Sequence, residues 1–309
     1  MQFAKPPTSL SEQIDQLAAR GMAFPDRAEA EHCLSHISYY RLAGYWRPYE
    51  ADTEDHQFQT GTCFAHILRS YTFDRELRLL LMDAIERLEI SVRTQWMNVL
   101  VRAHGPHAHL DPDLFTSQSN KQGRIIWSHA EAIQRLKAEA AKSREPFIVH
   151  FRQKYREDLP PLWATCELMA LGDVSRWFAR TKSSALRNQV ARAYQLDESI
   201  LGSFLHHLAV VRNICAHHNR LWNREFVVSW KLPTKNPPWL VTHLAHSQSG
   251  KIYNTLVMII FLMDIINPAS SWRKRLADHI ASASPDQQTA MGFPADWQTR
   301  SLWQHEATP

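Results

Sequence analysis

A chain of 309 residues can form one large domain or two ordinary ones and bury a core without disulfides or metals. Its four cysteines, Cys33, Cys63, Cys166 and Cys215, are far apart and form no CxxC pair, which argues against a disulfide framework or a zinc ribbon and favours the reducing cytoplasm. With 35 Lys and Arg against 31 Asp and Glu, the net charge of +4 is too small for a protein that coats nucleic acid, but it permits RNA bound by a local patch. Nine glycines are few for β-hairpin or glycine-rich phosphate-loop architectures, so the fold expected is all-α.

The opening "MQFAKPPTSL" has no apolar run of signal-peptide type. "TSLSEQIDQLAARG" then sets Ser9 three residues before Glu12 as a capping box, carries Leu10, Ile14, Leu17 and Ala18 on one stripe, and closes on Gly21. "DRAEAEHCLSHI" repeats the device with Asp26 and Glu29, and "SYYRLAGYWRPYE" follows as an aromatic helical turn and exit loop. Pro48 and the acidic "EADTEDH" mark a boundary, giving an N-terminal helical region over 1–62.

From Cys63 to about Ala103 apolar residues keep helical spacing with no Gly or Pro, so one long helix or two collinear ones are expected. The pairs Asp83 with Arg87 and Glu89 with Arg93 read as a solvated i,i+4 ladder. "GPHAHLDPDLFTSQSNKQG" reads as a loop, with helices next at about 124–143 and 145–156. In "DLPPLWATCELMALGDVSRWF", Pro160 and Pro161 start a helix, Gly172 ends it and Asp173 caps the next. Two short helices fit before Asp197, which caps "DESILGSFLHHLAVVRNICAHHNRLWNRE". "FVVSWKLPTKNPPWL" is an extended, Pro-rich excursion or a short strand pair, and helices return near 250–266 and 271–283. "TLVMIIFLMDII" is too short for a membrane span and holds Asp264, so it reads as a buried helix and no membrane partner is expected. The tail "MGFPADWQTRSLW" reads as an aromatic strap. The expected divisions are 1–62, 63–268 and 269–309.

The chemistry concentrates in "VVRNICAHHNRLWNREF". On an unbroken helix His206, Asn213 and His217 share a face with Val210 between them and Arg220 one turn beyond, while Leu205, Leu208, Val211 and Cys215 supply apolar cover. Arg212 projects about 140° from His217, too wide for direct contact on one ideal helix. These types together suit RNA cleavage without a metal: a base takes the 2′-OH proton, a cation steadies the phosphorane and an acid protonates the 5′-oxygen. Histidine serves near neutral pH, arginine offers a planar fork to phosphate, and Asn213 orients either. By spacing alone the same residues could be structural. The pairs His206-His207 and His217-His218 suggest a metal only weakly, since neighbours point about 100° apart and no carboxylate or HExxH accompanies them. Metal ligands and cofactors are therefore expected to be none. Hydrolase, P-loop, kinase and Rossmann signatures are missing.

"RNICAHHNRLWNR" resembles the signature of the bacterial abortive-infection proteins of the Abi-like family (AbiD and AbiF type), which is similar to the HEPN superfamily of helical ribonucleases through an Arg-Asn-x-x-x-His core. "HISYYRLAGYWRPYE", "YTFDRELRLLLMDAIERLEISVRTQ", "LPPLWATCELMALGDVSRWF" and "MGFPADW" carry the same resemblance along the chain. It implies a HEPN-like helical bundle with an additional N-terminal helical region, and a homodimer that brings two motifs into one metal-independent endoribonuclease site acting in phage defence. It also implies, for some members, restraint by a partner, an antitoxin or a small non-coding RNA. By the resemblance Arg212, Asn213 and His217 are the catalytic set; His218 is a second claimant, since Arg212 to His218 also fits the spacing. Arg220, Arg224 and Lys231 are candidates to track RNA, and Trp222 to stack a base or, as more often for such a residue, to be buried. The rival reading is a non-catalytic RNA-binding or protein-interaction module that senses infection.

Overall fold

A computed structural model describes residues 6–51 and 55–304. Its described residues form an all-α fold of fourteen α-helices with one two-stranded hairpin. The chain divides into two compact units, 1–79 with 218–221, and 80–217 with 222–309.

The first unit begins with α1 (Leu10–Ala19), whose Ser9 cap and Glu12 form the expected reciprocal box. α2 (Arg27–His36) is capped by Asp26, which accepts from the Glu29 amide, and α3 (Tyr39–Trp46) buries Leu42, Tyr45 and Trp46. Between them and α4 (Phe64–His104) the chain is clipped by single bridges, Ala23 to Cys63 and Glu50 to Phe58, and by Arg20, which bonds Glu50 at 2.7 Å and covers the Phe58 ring. The uninterrupted spacing of α4 yields one helix of 41 residues, the first of the two expected alternatives. The unit boundary falls within it.

This unit also holds 218–221, and a buried ion pair explains how. Asp74 and Arg78, one turn apart on α4 and nearly inaccessible, pair with each other, and Tyr45 donates its hydroxyl to Asp74 at 2.6 Å. The Leu221 amide donates to both Asp74 oxygens at 3.2 Å, Arg78 donates to the Asn219 carbonyl at 3.4 Å, and Arg41 donates to the His218 carbonyl at 2.6 Å. Backbone groups of this short segment thereby replace water around buried charges.

In the second unit Asn120 accepts from the Gln122 and Arg124 amides and Gly123 takes φ +78°, closing a hairpin of β1 (Gln118–Ser119) and β2 (Ile125–Trp127). The helix expected from 124 therefore starts later, as α5 (His129–Lys142) capped by Ser128, because adjacent Ile125 and Ile126 favour the strand. α6 (Pro146–Lys154) and the short α7 (Leu162–Thr165) follow. α8 (Leu171–Arg180) starts from Ala170, not Asp173: Gly172 lies inside its first turn and ends nothing, and Asp173 instead accepts from Arg176 at 2.7 Å. α9 (Ser184–Arg192) and α10 (Glu198–Ala216) follow, the latter capped by Asp197 as expected.

α8 packs along α10, and Gly202 allows the approach: a β-carbon there would stand 3.3 Å from the Phe178 ring. The Pro-rich excursion holds no strand pair but the short α11 (Pro238–His243). α12 (Tyr253–Ile266) is buried along 253–263, as its apolar sequence requires, and α13 (Trp272–Ala281) and α14 (Pro285–Ala290) complete the unit. Gly292 turns the chain at φ +87° where any side chain would strike Lys251, and the tail packs Phe293, Trp297 and Trp303 into an aromatic cluster with Tyr253. The ladder on α4 is only partly solvated. Arg87 meets Asp83 near the surface, but Arg93 is buried and bridges Glu89, Glu167 and the Met169 carbonyl at 2.7–2.9 Å. Among the described residues no helix is long and apolar enough to cross a membrane.

Candidate functional site at the end of α10

α10 buries Leu205, Leu208, Val211 and Cys215 on one side, the expected apolar cover, and this fixes which side chains face outward. His206, Val210 and Asn213 line a groove of about 680 Å³ together with Arg180 and Lys231. Arg212 lines a separate depression beside Asp83, Glu86 and Glu89 of α4. The two neighbours still touch, with Arg212 Nη1 donating to Asn213 Oδ1 at 3.4 Å.

The helix stops at Ala216. His217 is its C-cap, exposed, with its amide donating to the Asn213 carbonyl at 3.0 Å. His218 takes the left-handed conformation at φ 58° that ends a helix, a place glycine usually holds. Arg212, Asn213 and His217 thus belong to one unit, while His218 and Arg220 belong to the other, and Arg220 does not continue the α10 row. The Arg220 side chain instead lies over Gly44 of α3.

His207 is structural. Its Nδ1 stands 2.6 Å from the Val228 carbonyl, which can only accept, so Nδ1 carries the proton and Nε2 accepts from the Thr255 hydroxyl at 2.8 Å. Burial lowers its pKa and keeps that ring neutral. Among the described residues no three His, Cys, Asp or Glu side chains group to hold a metal ion. Trp222, at 3% exposed, is a core side chain and is not placed to stack a base; Arg224 is half-buried and Lys231 is exposed on the groove. None of the four cysteines forms a disulfide among the described residues.

Sequence reasoning missed the cations that α8 and α9 bring to the groove, Arg176, Arg180 and Arg187. The signal was the Arg176/Arg180 spacing, two like charges one turn apart on a helix with a buried face. It also missed the Asp74 and Arg78 clamp, whose i,i+4 spacing looks like any surface pair.

No curated protein and no solved structure matches the chain. A family model described as Abi-like protein matches residues 32–223, more than half of the chain, from α2 to just past His218. Arg212, Asn213, His217 and the α8 arginines lie inside that span, and Arg224, Lys231 and the aromatic tail lie outside it. The chain therefore belongs to the Abi-like protein family, and that membership supports a role in abortive infection.

Proposed function

We propose that the protein is a metal-independent endoribonuclease of the HEPN type that acts in abortive infection against phage. The observation that carries this reading is the grouping of Arg212, Asn213 and His217 on the last turn and cap of one helix, Asn213 and His217 both exposed and Asn213 opening onto a groove rich in cations. A stability role does not call for an exposed imidazole and amide beside an arginine that, although Asp83, Glu86 and Glu89 line the same depression, makes no salt bridge among the described residues.

The chemistry follows from the groups present. His217 moves a proton, as base toward the 2′-OH or as acid toward the 5′-oxygen. Attack of the 2′-oxygen on phosphorus expels the 5′-oxygen and leaves a 2′,3′-cyclic phosphate. Arg212 offers its fork to the non-bridging oxygens as charge develops, and Asn213 holds Arg212 by the contact at 3.4 Å. Because Arg212 and Asn213 line different grooves, a homodimer that brings two motifs together supplies the second proton-transfer group. No cofactor enters this chemistry. The protein acts in the cytoplasm on an RNA, and an antitoxin or small non-coding RNA restrains it. The test compares His217→Ala with wild type: the reading requires a lower cleavage rate with unchanged RNA affinity, and equal rates would overturn it.

A further inference from the structure

The groove beside Asn213 has a composition that the cleavage step does not explain. Arg176, Arg180, Arg187 and Lys231 line it against a single carboxylate, Glu198. Arg187 is committed, with Nε and Nη2 on the two Glu198 oxygens at 2.8 and 3.2 Å and Nη1 on the Thr181 carbonyl. Arg176 is paired with Asp173. Two cations remain. Among the described residues the Arg180 side chain has no hydrogen bond or ion pair, although it is half-buried at the end of α8, and Lys231 makes no salt bridge, its charge acting on Asp197 only at longer range while its amide donates to Ser203 Oγ at 3.0 Å. Burial, and then the charge of Arg187, lower the Arg180 pKa. A half-buried guanidinium without an anionic partner of its own is unfavourable unless an anion arrives.

The floor of the groove gives it direction. Ser199, Gly202, Ser203, His206, Val210 and Asn213 recur at three- and four-residue spacing along α10. Ser199, Gly202 and Ser203 are small, so the floor is low over that stretch. From Ser199 to Asn213 this row runs about 21 Å along the helix. It ends at Asn213, one turn before His217.

We infer that this groove is the track of a single RNA strand, with Arg180 and Lys231 each taking a phosphate and the strand running along α10 to present a phosphodiester at Asn213. The inference rests on the nuclease reading for what happens at the end of the track, and on the groove alone for binding. Arg180 takes phosphate by its fork, Lys231 as a point charge at the rim. His206 offers a ring nitrogen to ribose or base edges, whereas the Ser199 and Ser203 hydroxyls are already given to Asp197 and the Ile200 carbonyl. The track brings α8 into RNA binding, within the span that matches the family model.

The experiment uses the full chain and a labelled, fully 2′-O-methylated oligoribonucleotide, which lacks the attacking hydroxyl and so reports binding whether or not the protein cleaves. Anisotropy titrations over a series of salt concentrations compare wild type, Arg180→Gln, Lys231→Gln and, as a control on exposed α5, Arg135→Gln. Arg180→Gln and Lys231→Gln should each weaken binding about 5- to 20-fold at low salt and flatten the salt slope by about 0.7 for each phosphate that is no longer neutralised, with the control unchanged. Arg180 holds nothing in the fold and Lys231 is exposed, so both variants should melt within a degree or two of wild type. Unchanged affinity and slope in both would overturn the track. So would a loss of self-association in Arg180→Gln with affinity per chain unchanged, because the groove would then seat a second copy. Groove-dependent binding without cleavage of natural RNA leaves the track and removes the nuclease reading; cleavage that depends on His217 with both groove variants binding normally does the reverse.

Discussion

Arg212 and Asn213 are in contact at 3.4 Å, yet they open onto different grooves, Arg212 toward the acidic face of α4 and Asn213 toward the cations of α8. One helix therefore presents the two halves of the motif in different directions. If Arg212 serves through its planar fork, Arg212→Lys should lower the cleavage rate by about 10²-fold, because an ammonium cannot make the two-point contact. Single-turnover kinetics with excess protein checks this, and a rate near wild type would remove the arginine from the chemistry.

The same divergence predicts complementation. If a site takes Arg212 from one protomer and His217 from its partner, mixing Arg212→Ala with His217→Ala yields mixed dimers in which one of two sites is intact. Activity should then return to a measurable fraction of wild type, up to about a quarter when the chains exchange freely and each mixed dimer, half of the population, keeps half its sites. Two inactive proteins that stay inactive, after exchange is verified by native mass spectrometry, would mean each chain carries its whole site.

The stability of the second unit should depend on acid through His109. This ring is fully buried, neither nitrogen has a partner among the described residues, and its pKa is lowered to about 4 by burial first and by His107 and His129 next. The folded value lies below the unfolded one near 6.5, so the unfolded chain binds the extra proton between them. Stability is then complete above pH 6.5 and falls as pH drops toward 4, by at most about 3 kcal/mol from this residue. The lowered values of His207 and His243 act in the same direction. Urea midpoints from pH 7.5 to 4 should show a steeper fall in wild type than in His109→Phe; parallel curves would refute the assignment.

The helices were legible in the sequence where period and cap agree. Ser9 with Glu12, Asp197 before α10, and the unbroken spacing of α4 each give local geometry that tertiary packing had no reason to overrule. The hairpin was not, because Asn120 and Gly123 set a turn inside a polar stretch that reads as plain loop, and Gly172 misled because a glycine inside a first turn looks like one that ends a helix. The candidate catalytic residues were legible as a motif on one segment. Their surroundings were not: Arg180 reaches the groove only because α8 packs along α10, and Trp222 turns inward for reasons that spacing does not carry.

The clamp on 218–221 predicts a structural cost. Asp74 is inaccessible and accepts from Tyr45, Arg78 and the Leu221 amide, so Asp74→Ala leaves a buried guanidinium without its carboxylate and should destabilise the first unit by about 3–5 kcal/mol. Hydrogen exchange should be faster at the Leu221 amide in particular. Protection equal to wild type at that amide would show that the segment is held by other means.

In the proposed mechanism His217 transfers a proton in a 2′-OH attack. The most direct measurement of this step is the chemistry of the RNA 3′ ends released in EDTA by wild type, His217→Ala and His218→Gly. His218→Gly keeps a residue suited to φ 58° and tests the neighbouring histidine without loss of the helix stop. Wild type and His218→Gly should release 2′,3′-cyclic phosphate ends at similar rates, and His217→Ala should be slower by about 10²- to 10⁴-fold. Cleavage that requires added Mg²⁺ and leaves 3′-hydroxyl ends, or equal rates in His217→Ala and wild type, would contradict the account.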